Sequence, residues 1–156
     1  MRKWKQATKP FPLRNPQKYL GDIRQLKYKS SWEEEAFKVC DNNPYILEWG
    51  YEIIDILYVI PSIKTMGKLQ VKKYKPDLYV VVQNENGTVN KKLIEIKPFK
   101  QTKKSRSRNP RIKLQEDYIH GINTLKWNAA VEWCKERNIE FLVVTERELF
   151  GNRTRK

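Results

Sequence analysis

Residues 75 to 98, "KPDLYVVVQNENGTVNKKLIEIKP", restrict the possible folds more than any other stretch of the chain. Two apolar runs rich in β-branched residues flank Asn86-Gly87, a dipeptide suited to the positive backbone angles of a tight hairpin. The expectation is an antiparallel pair, "DLYVVV" and "KKLIEIK". Its charges do not serve packing. Asp77 opens the first run, while Glu95 and Lys97 interrupt the apolar second run. Side chains alternate along a strand, so Leu93, Glu95 and Lys97 share one face and Ile94 and Ile96 the other. Asp77 and the Glu95–Lys97 end both lie far from the turn, so the hairpin brings them side by side.

Two carboxylates in close range repel unless a cation or a shared proton lies between them. A hard divalent ion with carboxylate oxygen ligands and with water and phosphate in its other positions resolves this. Such an ion lowers the pKa of bound water and clamps a phosphodiester. Lys97 is then placed to orient or deprotonate an attacking water and to stabilise charge on the phosphate. The competing structural reading makes Asp77 a strand-entry cap and Glu95–Lys97 an exposed edge ion pair.

The charge balance points to the same chemistry. The 156 residues carry a formal net charge of +14, a self-repulsion that suits a polyanionic partner. The cations come in blocks. Residues 97 to 113 hold eight Lys or Arg and no acid, and residues 64 to 75 hold five and none. The first 29 residues hold nine against Asp22 alone. Such blocks fit a phosphate backbone, and without a basic amphipathic helix they favour nucleic acid over a membrane. No apolar run is long enough to span a bilayer, and the basic N-terminus lacks the apolar stretch of a secretory signal. Cys40 and Cys134, in helix-like segments without metal-ligand spacing, read as buried reduced thiols. No phosphate-binding glycine loop or zinc cluster is present.

One core is expected from this length. The proline-rich "KPFPLRNP" reads as part of a basic extended arm over residues 1–29. In "SSWEEEAFKVCDNN", Ser30 or Ser31 caps a helix with an apolar stripe of Trp32, Ala36, Val39 and Cys40. "YEIIDILYVI" (51 to 60) reads as a strand, followed by a turn around Gly67 into another. After the hairpin comes a basic loop, 98–114, able to order on binding. A helix over 122 to 137 follows, then "IEFLVVT", a strand of the kind buried on both faces. The order is α-β-β-β-α-β: an α/β fold with a mixed sheet flanked by helices. Residues 30–150 form this single domain, and 151–156 a polar tail.

Pro76-Asp77 and Glu95-Ile96-Lys97, with seventeen residues between the carboxylates, resemble the PD-(D/E)XK nuclease superfamily, whose core is restriction-endonuclease-like. "KYKSSWEEEAF", "EIKPFKQ" and "LKWNAAVEWCKERNIEFLVVTERE" are similar to its TnsA-like branch. With "NPQKYLGD" upstream, the chain most resembles the head completion nucleases of large tailed phages, from about Asn15 to Leu149. The resemblance implies a metal-dependent DNA endonuclease that processes packaged DNA ends before tail attachment. Glu33, Asp77 and Glu95 would be both catalytic acids and metal ligands for Mg²⁺, with Mn²⁺ a substitute, and Lys97 the catalytic lysine. Gln101 falls on the family's glutamine after the lysine. Lys100, Lys103, Lys104, Arg106, Arg108 and Arg111 would hold double-stranded DNA through its backbone.

Lys126 would join them, although Lys126 and Asn123 can equally be a solvated helix edge. Glu33 can equally be a capping acid, and His120 reads as a helix-entry or surface residue. Phage head and portal proteins are the implied partners, and the host cytoplasm or the virion the implied location. Two alternatives remain: a non-cleaving DNA-binding or portal-docking head protein, and a transposition endonuclease of the TnsA-like kind.

Overall fold

The computed structural model describes residues 8–61 and 68–150. The expected turn around Gly67, the polar tail and residues 1–7 of the arm lie outside them. The described chain begins with β1 (Lys9–Pro10) and β2 (Lys27–Tyr28), a short antiparallel pair, with 3₁₀ turns at Pro16–Lys18 and Ile23–Gln25 between them. Then come α1 (Ser31–Asn42), β3 (Ile46–Tyr51), β4 (Ile56–Pro61), β5 (Leu69–Tyr74), β6 (Leu78–Gln83) and β7 (Val89–Ile96). A 3₁₀ turn at Phe99–Thr102, α2 (Pro110–Lys135), β8 (Glu140–Val144) and α3 (Glu146–Phe150) complete it.

The central sheet has the order β3-β6-β7-β8, with β7–β8 parallel and its other pairs antiparallel. A parallel neighbour requires a crossover connection, and α2 provides it. The two sheet faces bury separate clusters. One packs Phe37, Ala36 and Cys40 of α1 with Phe11, Leu26, Trp49 and Val80. The other packs Ala130 and Cys134 of α2 with Leu93 and with Ile56, Tyr58, Ile60 and Tyr74. β4 and β5 therefore form a separate ribbon over the α2 side, inserted between β3 and β6. The mixed sheet flanked by helices is restriction-endonuclease-like in architecture. Both cysteines are free and buried, and burial raises their thiols to about 12 for Cys40 and about 11 for Cys134.

Five local readings of the sequence need correction. Residues 51 to 60 are not one strand: Glu52 takes a left-handed φ of 51° and donates its N–H to the Asp77 carbonyl, so the chain leaves the sheet there. The strand before this break, β3, has no counterpart in the sequence reading. α2 begins twelve residues earlier than expected. Asn109 caps it by accepting from the N–H groups of Arg111 and Ile112, and Pro110 occupies the first turn, where its missing N–H costs nothing. The stripe of α1 includes Phe37 rather than Val39, which is exposed. β8 is a half-buried edge strand instead of a strand buried on both faces. The hairpin turn, by contrast, is as the sequence implies, with Gly87 at φ +83° and Asn84 N–H bonded to Thr88 O.

Residues 8 to 29 lie along the domain and are fastened to α1. Asp41, 1% exposed, accepts hydrogen bonds from Arg14 N (2.8 Å) and Asn15 N (2.9 Å). Lys18 Nζ bonds the carbonyls of Asp41 and Asn43. Asp41→Ala would leave two N–H groups without their acceptor, a loss of about 2–3 kcal/mol. Thermal melts should show it as a lowered Tm, and limited proteolysis should cut first between residues 8 and 29. An unchanged melt would show that this segment is not held by Asp41.

Among the described residues no helix is long and apolar enough to cross a membrane.

Candidate active site

The hairpin delivers its charged residues to the end opposite the Asn86-Gly87 turn. Leu78 pairs with Ile94, and one step beyond, Asp77 Oδ2 accepts the backbone N–H of Ile96 at 2.7 Å. Lys97 N–H extends the ladder to Val144 O. β7 is an inner strand and Glu95 is only 5% exposed, so Glu95 and Lys97 are not an exposed edge pair. Lys97 Nζ lies 3.3 Å from Glu95 Oε1.

Glu33 reaches the same place from α1. Ser30 caps that helix by accepting from Glu33 N. The Glu33 carboxylate accepts from Lys29 N (2.6 Å) and from the Tyr51 hydroxyl (2.9 Å). Glu33 thus accepts the N–H just ahead of the helix, as a capping acid would, and its carboxylate also borders the cleft. The cleft, open and ≈ 490 Å³ in volume, is lined by Ser30, Ser31, Trp32, Glu33, Asp77, Glu95, Ile96, Lys97 and Pro98. All four expected catalytic residues border it.

Its electrostatics are those of acids held together against repulsion. Burial first and the Glu95 carboxylate second push Asp77 up to about 8, while the Ile96 N–H and Lys97 act in the opposite direction. A carboxylate whose charge is penalised by burial and then by a second carboxylate beside it suits a divalent cation. The donor set therefore fits Mg²⁺ or Mn²⁺, centred on Asp77 and Glu95. Among the described residues no group of three or more Asp, Glu, His or Cys side chains is arranged to hold a metal ion, so Glu33 does not join Asp77 and Glu95 in one ligand set.

Two hydroxyls that the sequence did not single out engage these acids. Tyr74, at the end of β5, donates to Glu95 Oε2 at 2.7 Å, and Tyr51, at the end of β3, donates to Glu33. Burial and the adjoining carboxylates push both phenols far above their ordinary value, so both remain donors. The only available signal was proximity, since Tyr74 stands three residues before Asp77.

The residues expected to contact DNA divide into two groups. Lys100, Gln101, Lys103, Lys104, Arg106, Arg108 and Arg111 are all exposed, outside the acidic cleft. Gln101 closes a 3₁₀ turn by donating its N–H to Pro98 O. With Lys100, Lys103 and His120 it faces a small separate pocket of ≈ 130 Å³. Arg111 sits in the first turn of α2. The loop is also tied down, by Ser105 N to Asp117 (3.1 Å), Lys100 to Glu116 (3.4 Å) and Phe99 N to Glu146 (2.8 Å).

Lys126 differs from the others. Half-buried, it stands over the rings of Tyr58 (5.8 Å) and Tyr74 (5.6 Å). Burial, followed by the charge of Lys97, lowers its pKa. Asn123 is buried on α2 at 4% exposure, and its Nδ2 lacks a hydrogen-bond partner.

A mixed sheet flanked by helices, with two acids and a lysine gathered at the ends of adjacent antiparallel strands beside an open cleft, makes this an α/β protein built like a restriction endonuclease. The family model described as TnsA-like endonuclease N terminal matches residues 43–146. The head completion nuclease of Enterobacteria phage T4 is 32% identical over 145 residues, covering 85% of this chain and 87% of that protein. No solved structure gives a significant match. The chain belongs to the TnsA-like endonuclease family. Asp77, Glu95 and Lys97 lie within the matched segment, and Glu33 lies before it.

Proposed function

We propose that this protein is a divalent-metal-dependent DNA endonuclease that hydrolyses phosphodiester bonds. In a phage it would process the packaged DNA end during head completion, before the tail attaches. The observation that carries the reading is the pairing of Asp77 and Glu95 beside Lys97 in an open cleft. Holding two carboxylates this close costs stability that DNA binding alone does not require. This argues against a silent head component. Similarity to the T4 head completion nuclease favours the phage role over a transposition role, which would also need a partner transposase.

Asp77 and Glu95 would hold the ion, with Glu33 at its rim. The ion, when bound, supplies an activated water and neutralises phosphate charge. Lys97 keeps one N–H toward Glu95 Oε1 and presents the others to the scissile phosphate. There it orients the attacking water and stabilises charge on the non-bridging oxygens. The exposed cations from Lys100 to Arg111 hold the DNA backbone without reading bases. Head and portal proteins would be its partners in the assembling virion.

The test is conversion of supercoiled plasmid to nicked or linear DNA. Cleavage should appear with Mg²⁺ or Mn²⁺ and vanish in EDTA. Binding without cleavage under any divalent ion would instead support the non-cutting reading. Replacing Lys103, Lys104 and Arg106 with Ala should weaken DNA binding for all sequences and flatten its log–log salt dependence by about 2–3. An unchanged slope would place the DNA elsewhere.

A further inference from the structure

The inserted ribbon β4–β5 looks at first like an elaboration on a finished core, yet its last residue reaches the acidic cleft. Tyr74 is 5% exposed, and its hydroxyl donates to Glu95. Glu95 thereby has a neutral donor on Oε2 and the Lys97 ammonium near Oε1. Tyr51, 8% exposed, repeats the arrangement from β3: its ring packs edge-on to Phe37 at 4.8 Å, and its hydroxyl donates to Glu33 Oε1. Asp77 is fixed independently by the Ile96 N–H. Each acid of the cleft therefore has a fixed donor beside it, and the two neutral side-chain donors are tyrosines anchored in hydrophobic clusters.

A buried phenol needs a partner wherever it lies, so one such bond would say little. Here both partners are acids of the same cleft. Tyr74 also has the indole of Trp127 beside its oxygen on the α2 side, although Trp127 Nε1 makes no hydrogen bond of ordinary geometry. The ring below Lys126 is the same Tyr74 ring. One side chain thus links the ribbon, α2 and β7 at the cleft.

We infer that Tyr74 and Tyr51 are positioning residues, whose hydroxyls fix the Glu95 and Glu33 carboxylates in the orientation that the cation and its water require. The inference rests on the endonuclease reading. Groups that orient metal-ligating side chains typically change metal affinity or turnover 10–100-fold when removed. The ribbon is then a functional part of the site through its tyrosine, in addition to packing Ile56, Tyr58 and Ile60 on the α2 side.

Tyr74→Phe removes the hydroxyl and keeps the ring under Lys126. Calorimetry without DNA should show Mn²⁺ binding weakened about 10–100-fold. On plasmid, kcat at fixed Mg²⁺ should fall by a similar factor with KM for DNA unchanged, and raising the metal should recover part of it. Tyr51→Phe should do the same more weakly, because Glu33 keeps the Lys29 N–H. Tyr118→Phe, on the exposed face of α2, serves as a control. If Tyr74→Phe binds Mn²⁺ and turns over like wild type while Asp77→Ala is inactive, the inference fails and the endonuclease reading stands. A lower Tm with unchanged affinity and kcat overturns it as well, since the hydroxyl is then structural. If Asp77→Ala cuts like wild type, the reading beneath it fails.

Discussion

Asp77→Ala is expected to lower plasmid cleavage about 10³-fold or more while leaving DNA binding near wild type. Asp77 contributes nothing to the exposed cationic surface, so a gel shift should not register its loss. It would contribute one of the two carboxylates proposed to hold the cation. Lys97→Ala should also lose about 10²–10³-fold in kcat, the size of effect seen when a preorganised donor to developing charge is removed. The two losses should not multiply in the double variant, because residues that act as a unit are non-additive. Wild-type rates in both single variants would remove the active site from this cleft. Loss of DNA binding in parallel with cleavage would mean that the cleft holds the backbone rather than cuts it.

The second large effect is on stability and has the opposite sign. In the folded protein Asp77 is raised from 3.8 to about 8, chiefly by burial and then by Glu95. Between those values the folded state keeps a proton that the unfolded chain has released. Metal-free stability should therefore be fullest at low pH and decline as pH rises through that window. Asp77→Asn keeps an oxygen to accept the Ile96 N–H and removes the charge. In EDTA at pH 8 it should be more stable than wild type by about 2 kcal/mol, several degrees in Tm for a chain of this size. Its melting temperature should also depend less on pH. Adding Mg²⁺ should stabilise the wild type and leave Asp77→Asn nearly unchanged. A wild type that melts higher than Asp77→Asn throughout, in EDTA, would show that burial and the neighbouring Glu95 do not penalise the Asp77 charge.

The site was more legible than the architecture around it, for a physical reason. Asp77, Glu95 and Lys97 report through the sequence because strand alternation and one hairpin turn fix their relative places, and both are local rules. Gly87 and the Ser30 cap are legible for the same reason. The split at Glu52 is not local. A glutamate takes a left-handed φ there because its N–H meets the Asp77 carbonyl, a contact visible only once β6 is in place. The ribbon's departure from the sheet follows from that break. The start of α2 was available in principle. Asn109-Pro110 is as good a helix entry as a turn, and the basic composition after it masked the helical reading. Tyr51 and Tyr74 carried no pattern at all, because a tyrosine that will donate to an acid looks like any core tyrosine until the acid lies beside it. Lys126 read as one more surface cation, but its place over two tyrosine rings next to the cleft sets it apart from the loop cations.

The central claim is that Asp77 and Glu95 hold the ion of a hydrolytic centre. Anomalous diffraction from crystals soaked in Mn²⁺ tests it most directly. One strong peak is predicted, between the carboxylates of Asp77 and Glu95 with Lys97 and Glu33 at its edge, and absent from Asp77→Ala crystals. A peak elsewhere, or none in crystals of protein that cleaves DNA with Mn²⁺, would contradict the account.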